Sequence, residues 1–148
     1  MHSKKNKIGI LGGSFDPPHK GHLAISIDAK KRLKLKKIIW AITKKNPFKK
    51  KSTTSLLTRI KQSQKIIGKK SFIKVKFYED IIKSNKTIDL VNYLSKNKSN
   101  EIHFLMGADN LINFHKWHKW KSILKKCNIL VFDRKGYRAK SLKSIAYT

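Results

Sequence analysis

Residues Lys7–His22 read KIGILGGSFDPPHKGH. Ile8, Ile10 and Leu11 form a short apolar run closed by Gly12 and Gly13, the punctuation of a strand buried on both faces. After the turn SFDPPHKGH, the stretch Leu23 to Leu35 carries Leu23 and Ile27, and then Ala29 or Lys30 and Leu33 or Lys34, along one helical face. Ile38 to Ile42 (IIWAI) is a second all-apolar strand. Strand, glycine turn, helix and strand make one βαβ unit, with a right-handed crossover expected. That unit decides the fold class.

The same alternation continues outward. Thr43 to Ser55 is polar and long for a connector, so it reads as a binding loop. Ser55 or Thr54 is placed to cap a helix running to about Ile67. Phe72 to Tyr78 alternates apolar residues with lysine, as a strand with one exposed face does, and the acidic pair Glu79 and Asp80 follows. Thr87 to Leu94 has helical spacing, Ile102 to Met106 is a strand ending at Gly107, Ala108 to Cys127 reads as helical with two tryptophans and a His-rich turn, and Ile129 to Phe132 is a last buried strand. No repeat or interior linker interrupts the series. The expected architecture is α/β, a Rossmann-like open parallel sheet of about five strands with helices on both faces, in one domain spanning residues 1–148.

Composition narrows the class further. Of the 148 residues, 36 are Lys or Arg and 8 are Asp or Glu, a net charge of +28, while 39% are hydrophobic. That apolar share is enough for a core and excludes a wholly disordered basic tail. No run approaches the roughly 18 apolar residues of a membrane span, and the N-terminal MHSKKNK does not read as a signal peptide. Cys127, the single cysteine, has no partner for a disulfide or a thiolate metal site, so the expected compartment is the cytoplasm. Only four of the 36 basic residues are arginine, and the lysines are scattered. A dedicated nucleic-acid binder concentrates arginine, whereas a lysine-, isoleucine- and asparagine-rich chain also fits a biased genome. Nonspecific nucleic-acid binding and steering of anionic substrates both follow from the charge.

The chemistry concentrates at the first turn. In an open α/β sheet, ligands bind beyond the C-terminal ends of the strands, where the strand-to-helix turn offers free backbone N–H groups to an anion. Gly12 and Gly13 allow close approach. His19 and His22, three apart at a helix start, face the same side, and Gly21 leaves room between them. Two imidazoles there can donate hydrogen bonds to phosphate oxygens as charge develops in a pentacoordinate transition state, which points to nucleotidyl or phosphoryl transfer. The chain has no Walker A motif and no strict GxGxxG. Other residues have plainer readings. Asp16, before two prolines, orders the turn; His103 is a structural strand residue; Cys127 is a buried, inert thiol; and His115 and His118 lack companions for a zinc site, so no protein-held metal is expected. Trp120 is assigned to the core and Trp117 to a ligand.

Gly13-x-Phe15-x-x-x-His19-x-Gly21-His22 resembles the GxFxxxHxGH signature of the adenylyltransferase and cytidylyltransferase superfamily. Within it, GGSFDPPHKGH is most similar to the bacterial nicotinate mononucleotide adenylyltransferases. Downstream, Met106-Gly107-Ala108-Asp109 resembles that family's MGAD segment, Asn113 to Trp117 its tryptophan-bearing stretch, and Asp133-Arg134-Lys135-Gly136 its RPG turn with Lys135 in the proline's place. The resemblance covers about residues 7 to 137.

It implies transfer of AMP from ATP to nicotinate mononucleotide, giving deamido-NAD and pyrophosphate, with Mg2+ held by the ATP phosphates. His19 and His22 would be the catalytic pair. Gly12, Gly13, Ser14, Phe15, Gly107, Asp109 and Arg134 would join them in binding ATP, and Lys49, Thr87 and Trp117 would meet the nicotinate mononucleotide. Two departures stand out. Phe48 precedes Lys49 where the family's PPHK loop has histidine, and no residue up to Thr148 matches the family's C-terminal ISSTxIR segment, so a domain shortened at its C-terminus is expected. The rivals are phosphopantetheine adenylyltransferase, which shares the first motif but not the second, and a nonenzymatic basic binding module on the same fold.

Overall fold

Strand β1 (Asn6–Gly13) lies at the centre of the sheet, hydrogen-bonded on both sides. The computed structural model describes residues 5–44, 54–132 and 139–141. Across β1, Ile10 stands beside Ile39 of β2 (Lys37–Ile42) and Phe104 of β4 (Asn100–Gly107), all parallel. β3 (Ile73–Lys76) adds to β2, β5 (Asn128–Phe132) adds to β4, and the order is β3-β2-β1-β4-β5-β6. The expected five-stranded parallel sheet is therefore present. A sixth, antiparallel edge strand, β6 (Ala139–Ser141), pairs with β5. It has three residues and carries no apolar pattern, so sequence periodicity gave no sign of it.

The pleat divides the apolar strand residues between two cores. Ile8, Ile10, Ile39, Phe104 and Met106 face one side, where Val91 of α4 (Thr87–Ser95) and Ile123 of α6 (Trp120–Lys126) pack on them. Leu11, Ile38, Trp40, Ile42 and Leu105 face the other, covered by Ala29 of α1 (Lys20–Leu33) and Ile67 of α2 (Leu56–Ile67). Burial on both faces explains why these strands are continuous hydrophobic runs. Gly9 is required by packing, since a Cβ there would stand 2.8 Å from Leu35 Cδ1 and 3.2 Å from Ile38 Cγ1.

Two expected elements differ. The helical stretch over Ala108 to Cys127 is divided into α5 (Ala108–Asn113), a 3-10 turn (Phe114–Lys116) and α6. Lys119 interrupts it in the left-handed region at φ 52, and Phe114, 4% exposed, anchors the turn in the core. The strand expected over Phe72 to Tyr78 shortens to β3, because Tyr78 begins a one-turn helix, α3 (Glu79–Ile82). Among the described residues, no helix is long and apolar enough to cross a membrane.

Candidate active site

Sheet order reverses at β1: the chain passes to β2 on one side and returns to β4 on the other. The C-terminal ends of β1 and β4 therefore form a topological switch point, where a ligand crevice is expected. A cavity of about 290 Å³ lies there, walled by Gly12, Gly13, Ser14, Thr43, Thr87 and Trp117, among others. Five residues singled out from sequence thus share one cavity. Gly107 ends β4 at the same edge of the sheet, and a Cβ on it would meet nothing within 4 Å. A larger groove of about 380 Å³ runs beside edge strand β3, bordered by Lys69, Lys70, Lys74 and Lys76. It contains none of the motif residues and lies away from the switch point, so the smaller cavity is the candidate site.

The turn between β1 and α1 has an unusual construction. Phe15 adopts φ 49, a left-handed conformation costing a bulky L-residue roughly 1–2 kcal/mol. Its ring is 2% exposed and lies 5.0 Å from Trp40, nearly parallel, and 4.5 Å from the His22 ring. The Phe15 side chain therefore supports the turn from beneath and does not line the cavity. Burial of an aromatic ring offsets the backbone cost.

His19 is the N-cap of α1, and its Nδ1 accepts the Gly21 N–H at 3.1 Å. His22 reciprocates: its Nδ1 accepts the His19 N–H at 3.1 Å. This is a capping box built from two histidines in place of the usual Ser/Thr and Glu/Gln. The rings stack with centroids 3.9 Å apart. An Nδ1 that accepts a hydrogen bond carries no proton, so each neutral imidazole bears its proton on Nε2, as a donor. Burial, and then the neighbouring His19, lower the His22 pKa to about 4. The first turn of α1 has no acidic residue, which leaves its positive helix end open to an anion.

Behind the pair runs a buried relay. The Trp40 Nε1–H donates to Ser26 Oγ at 2.9 Å, and Ser26 Oγ–H donates to the His22 carbonyl at 2.8 Å. Trp40 and Ser26 are fully buried.

Trp117 closes the other wall. Its indole meets Phe104 and Phe114 edge-on, at 5.8 and 5.2 Å, and remains half-buried beside the cavity. Trp120 packs on the core, edge-on to Phe114. Both indoles pack against Phe114, but Trp117 alone lines the cavity, and the break at Lys119 keeps them off one helix face. Thr87 opens α4, and Asp109 lies in the first turn of α5. Lys49 and Arg134 lie outside the described residues. His115 and His118 are exposed, and His103 pairs with Glu101 at 2.8 Å. Among the described residues, no three His, Cys, Asp or Glu side chains are grouped to hold a metal ion.

Sequence reading missed Arg59, Ser26, Trp40 and Glu79, while Thr43, at the start of the stretch read as a binding loop, does wall the cavity. Arg59 and Ser26 read as ordinary helix residues, and nothing local marks the partners they reach. Glu79 accepts the Lys44 N–H at 2.9 Å and borders a smaller pocket that adjoins the main cavity at Thr43 and Thr87.

The family model for cytidylyltransferase-like proteins matches residues 10–147. The chain belongs to the cytidylyltransferase-like family. Relatives place it more closely. A Pelagibacter ubique (strain HTCC1062) protein named probable nicotinate-nucleotide adenylyltransferase is 71% identical over 147 residues, covering 99% of this chain and 82% of that one. A protein of the same name from Bradyrhizobium sp. (strain ORS 278) is 38% identical over 90% of this chain and 71% of its own. The resemblance carried by the two motifs is borne out by these cytidylyltransferase-like relatives. Among solved structures, Plasmodium falciparum nicotinic acid mononucleotide adenylyltransferase complexed with NaAD matches with a TM-score of 0.80 at 22% identity, over 96% of this chain and 70% of that one. At that identity the likeness speaks for the fold.

Proposed function

We propose that this protein transfers the adenylyl group of ATP to nicotinate mononucleotide, forming deamido-NAD and pyrophosphate. The observation that carries the reading is the histidine capping box, which leaves two Nε2–H donors at the start of α1, directly after the turn that walls the cavity. The identity of 71% to a relative named for this activity supports the same choice of substrate.

In this reading a phosphate oxygen of the mononucleotide attacks the α-phosphorus of ATP. The new P–O bond forms as the bond to the β-phosphate oxygen breaks, and pyrophosphate leaves with that electron pair. Charge grows on the non-bridging oxygens of the α-phosphate, and His19 and His22 stabilise it by donation from Nε2 without exchanging a proton. A neutral His22 suits that role, since Nδ1 stays engaged with the backbone throughout.

The remaining assignments follow the family motifs. Gly12, Gly13, Ser14 and the Phe15 backbone line the phosphate turn, while Gly107, Asp109 and Arg134 serve the ATP side. Thr87, Trp117 and Lys49 serve the mononucleotide, with the indole face meeting the pyridine ring. Mg2+ carried in by the ATP phosphates would neutralise charge on the leaving pyrophosphate. We place the protein in the cytoplasm, as a single nucleotidyltransferase domain.

Pyrophosphate release from ATP and Mg2+ tests the reading, with nicotinate mononucleotide, nicotinamide mononucleotide and phosphopantetheine as parallel substrates. Release selective for the nicotinate form is expected. Release with phosphopantetheine alone would move the protein to the sister activity. Binding of polyanions that weakens steeply with salt, with no turnover of any substrate, would favour the basic-module reading.

A further inference from the structure

Arg59 is one of only four arginines in a chain with 36 basic residues, and its side chain is almost wholly enclosed at 1% exposure. It lies in the first turn of α2 and reaches back past the helix start. Nη1 donates to the Ser14 carbonyl and to the Thr43 carbonyl, both at 2.7 Å. Nη2 donates to the Lys44 carbonyl at 2.6 Å, and Nε to the Thr54 carbonyl at 3.2 Å. The ion pairs among the described residues are Arg32–Asp28 and His103–Glu101, so the buried charge of Arg59 is met by four carbonyl dipoles. Leaving such a charge uncompensated is expensive, and only a planar guanidinium fork serves so many acceptors at once.

Two of the four partners line the cavity. Ser14 and Thr43 wall it, and the Thr43 N–H donates to the Gly13 carbonyl at 2.9 Å. Thr43 is therefore tied to the β1–α1 turn twice, once directly and once through Arg59. Ser14 immediately precedes Phe15, whose ring supports His22. We propose that Arg59 is a positioning residue for adenylyl transfer: its fork fixes the separation of the Ser14 and Thr43 walls, and through Phe15 it sets where the two imidazoles stand over the reacting phosphate. The reaction named here rests on the adenylyl-transfer reading; the geometric coupling does not.

The test compares wild type with Arg59→Lys, which keeps the charge and loses the fork, and Arg59→Gln, which loses both. Turnover is measured at a temperature where each variant is folded, and the His22 ring is titrated by NMR. Both variants should lose about tenfold or more in kcat with little change in KM, as expected when reacting groups are misplaced. In both, the His22 midpoint should rise from about 4 toward the ordinary histidine value as Phe15 loosens its packing. Wild-type kcat together with an unmoved His22 midpoint in Arg59→Lys would overturn the proposal, as would a loss that tracks only the folded fraction. Failure of both variants to fold would assign Arg59 to folding and overturn it equally. Should the wild type turn over no substrate, the functional reading falls, while the His22 midpoint still decides the role of Arg59.

Discussion

The Nδ1 of His22 accepts the backbone N–H of His19, while the Nδ1 of His19 accepts the N–H of Gly21, so the histidine pair caps its own helix with Nδ1 and leaves Nε2 out of the cap. Capping and the proposed donation to phosphate thus use different atoms of the same rings, and substitution can separate them. Asparagine at position 19 retains an acceptor for the Gly21 N–H but lacks the distal donor. His19→Asn should therefore unfold within about 0.5 kcal/mol of wild type, whereas His19→Ala should lose about 1 kcal/mol with the cap. Both should lower kcat by roughly 10²–10³. Urea unfolding and steady-state turnover, measured on the same preparations, check both halves.

His22 gives stability a defined pH dependence. Its pKa is about 4 in the folded protein, through burial and the proximity of His19, against 6.5 for a free histidine. The unfolded chain therefore takes up the proton first as pH falls. Stability from this group is complete above about pH 6.5 and is lost as pH drops toward 4, by on the order of 2 kcal/mol given its partial exposure. His22→Gln keeps an acceptor at the third helical position and removes the titration. Denaturation midpoints of wild type and His22→Gln should run parallel above pH 7 and diverge between pH 6.5 and 4; parallel curves throughout would refute this account.

Ser26 is the single link between the Trp40 indole N–H and the His22 carbonyl. Ser26→Ala strands a fully buried N–H donor, which should cost about 1–3 kcal/mol. Trp40→Phe in the same background removes the stranded donor, so the double variant should lose less than the sum of the two single changes. Urea denaturation of the four proteins gives the coupling directly.

Trp117 stands half-buried at the cavity with its edges held by Phe104 and Phe114. Trp117→Ala should raise KM for the mononucleotide about tenfold while leaving KM for ATP near wild type, and Trp117→Phe should recover most of the difference. Initial-rate kinetics with each substrate varied in turn would expose an equal effect on both, which this assignment excludes.

Cys127 is buried, and that burial raises its thiol pKa to about 12. Its Sγ–H donates to the Ile123 carbonyl at 3.2 Å. A thiol-specific reagent at pH 8 should leave the native protein unmodified and react fully once it is unfolded in guanidinium. Rapid native labelling would contradict the packing of α6 against the sheet.

Sequence alone determined the architecture, because a strand covered by helices on both faces is apolar along most of its length. Ile8 to Leu11, Ile38 to Ile42 and Ile102 to Met106 announce themselves in that way. It also singled out the turn after β1, since glycines and paired histidines at a strand-to-helix junction are local features with local consequences. The break at Lys119 was hidden because the tryptophan spacing is helical on either side of it. Strand β6 was hidden because three residues carry no period.

Tertiary structure alone decided how the two imidazoles are held. His19 and His22 are visible as a pair, but how the rings stand depends on Phe15 and Trp40 packing against His22 and on His22 stacking against His19. Arg59 meets Ser14 across 45 residues of chain and Thr43 across 16. Its acceptors are backbone carbonyls, which every residue possesses and no side-chain pattern records. A sequence specifies which residues can donate; only the folded chain fixes which carbonyls they reach, because that depends on where distant segments come to rest.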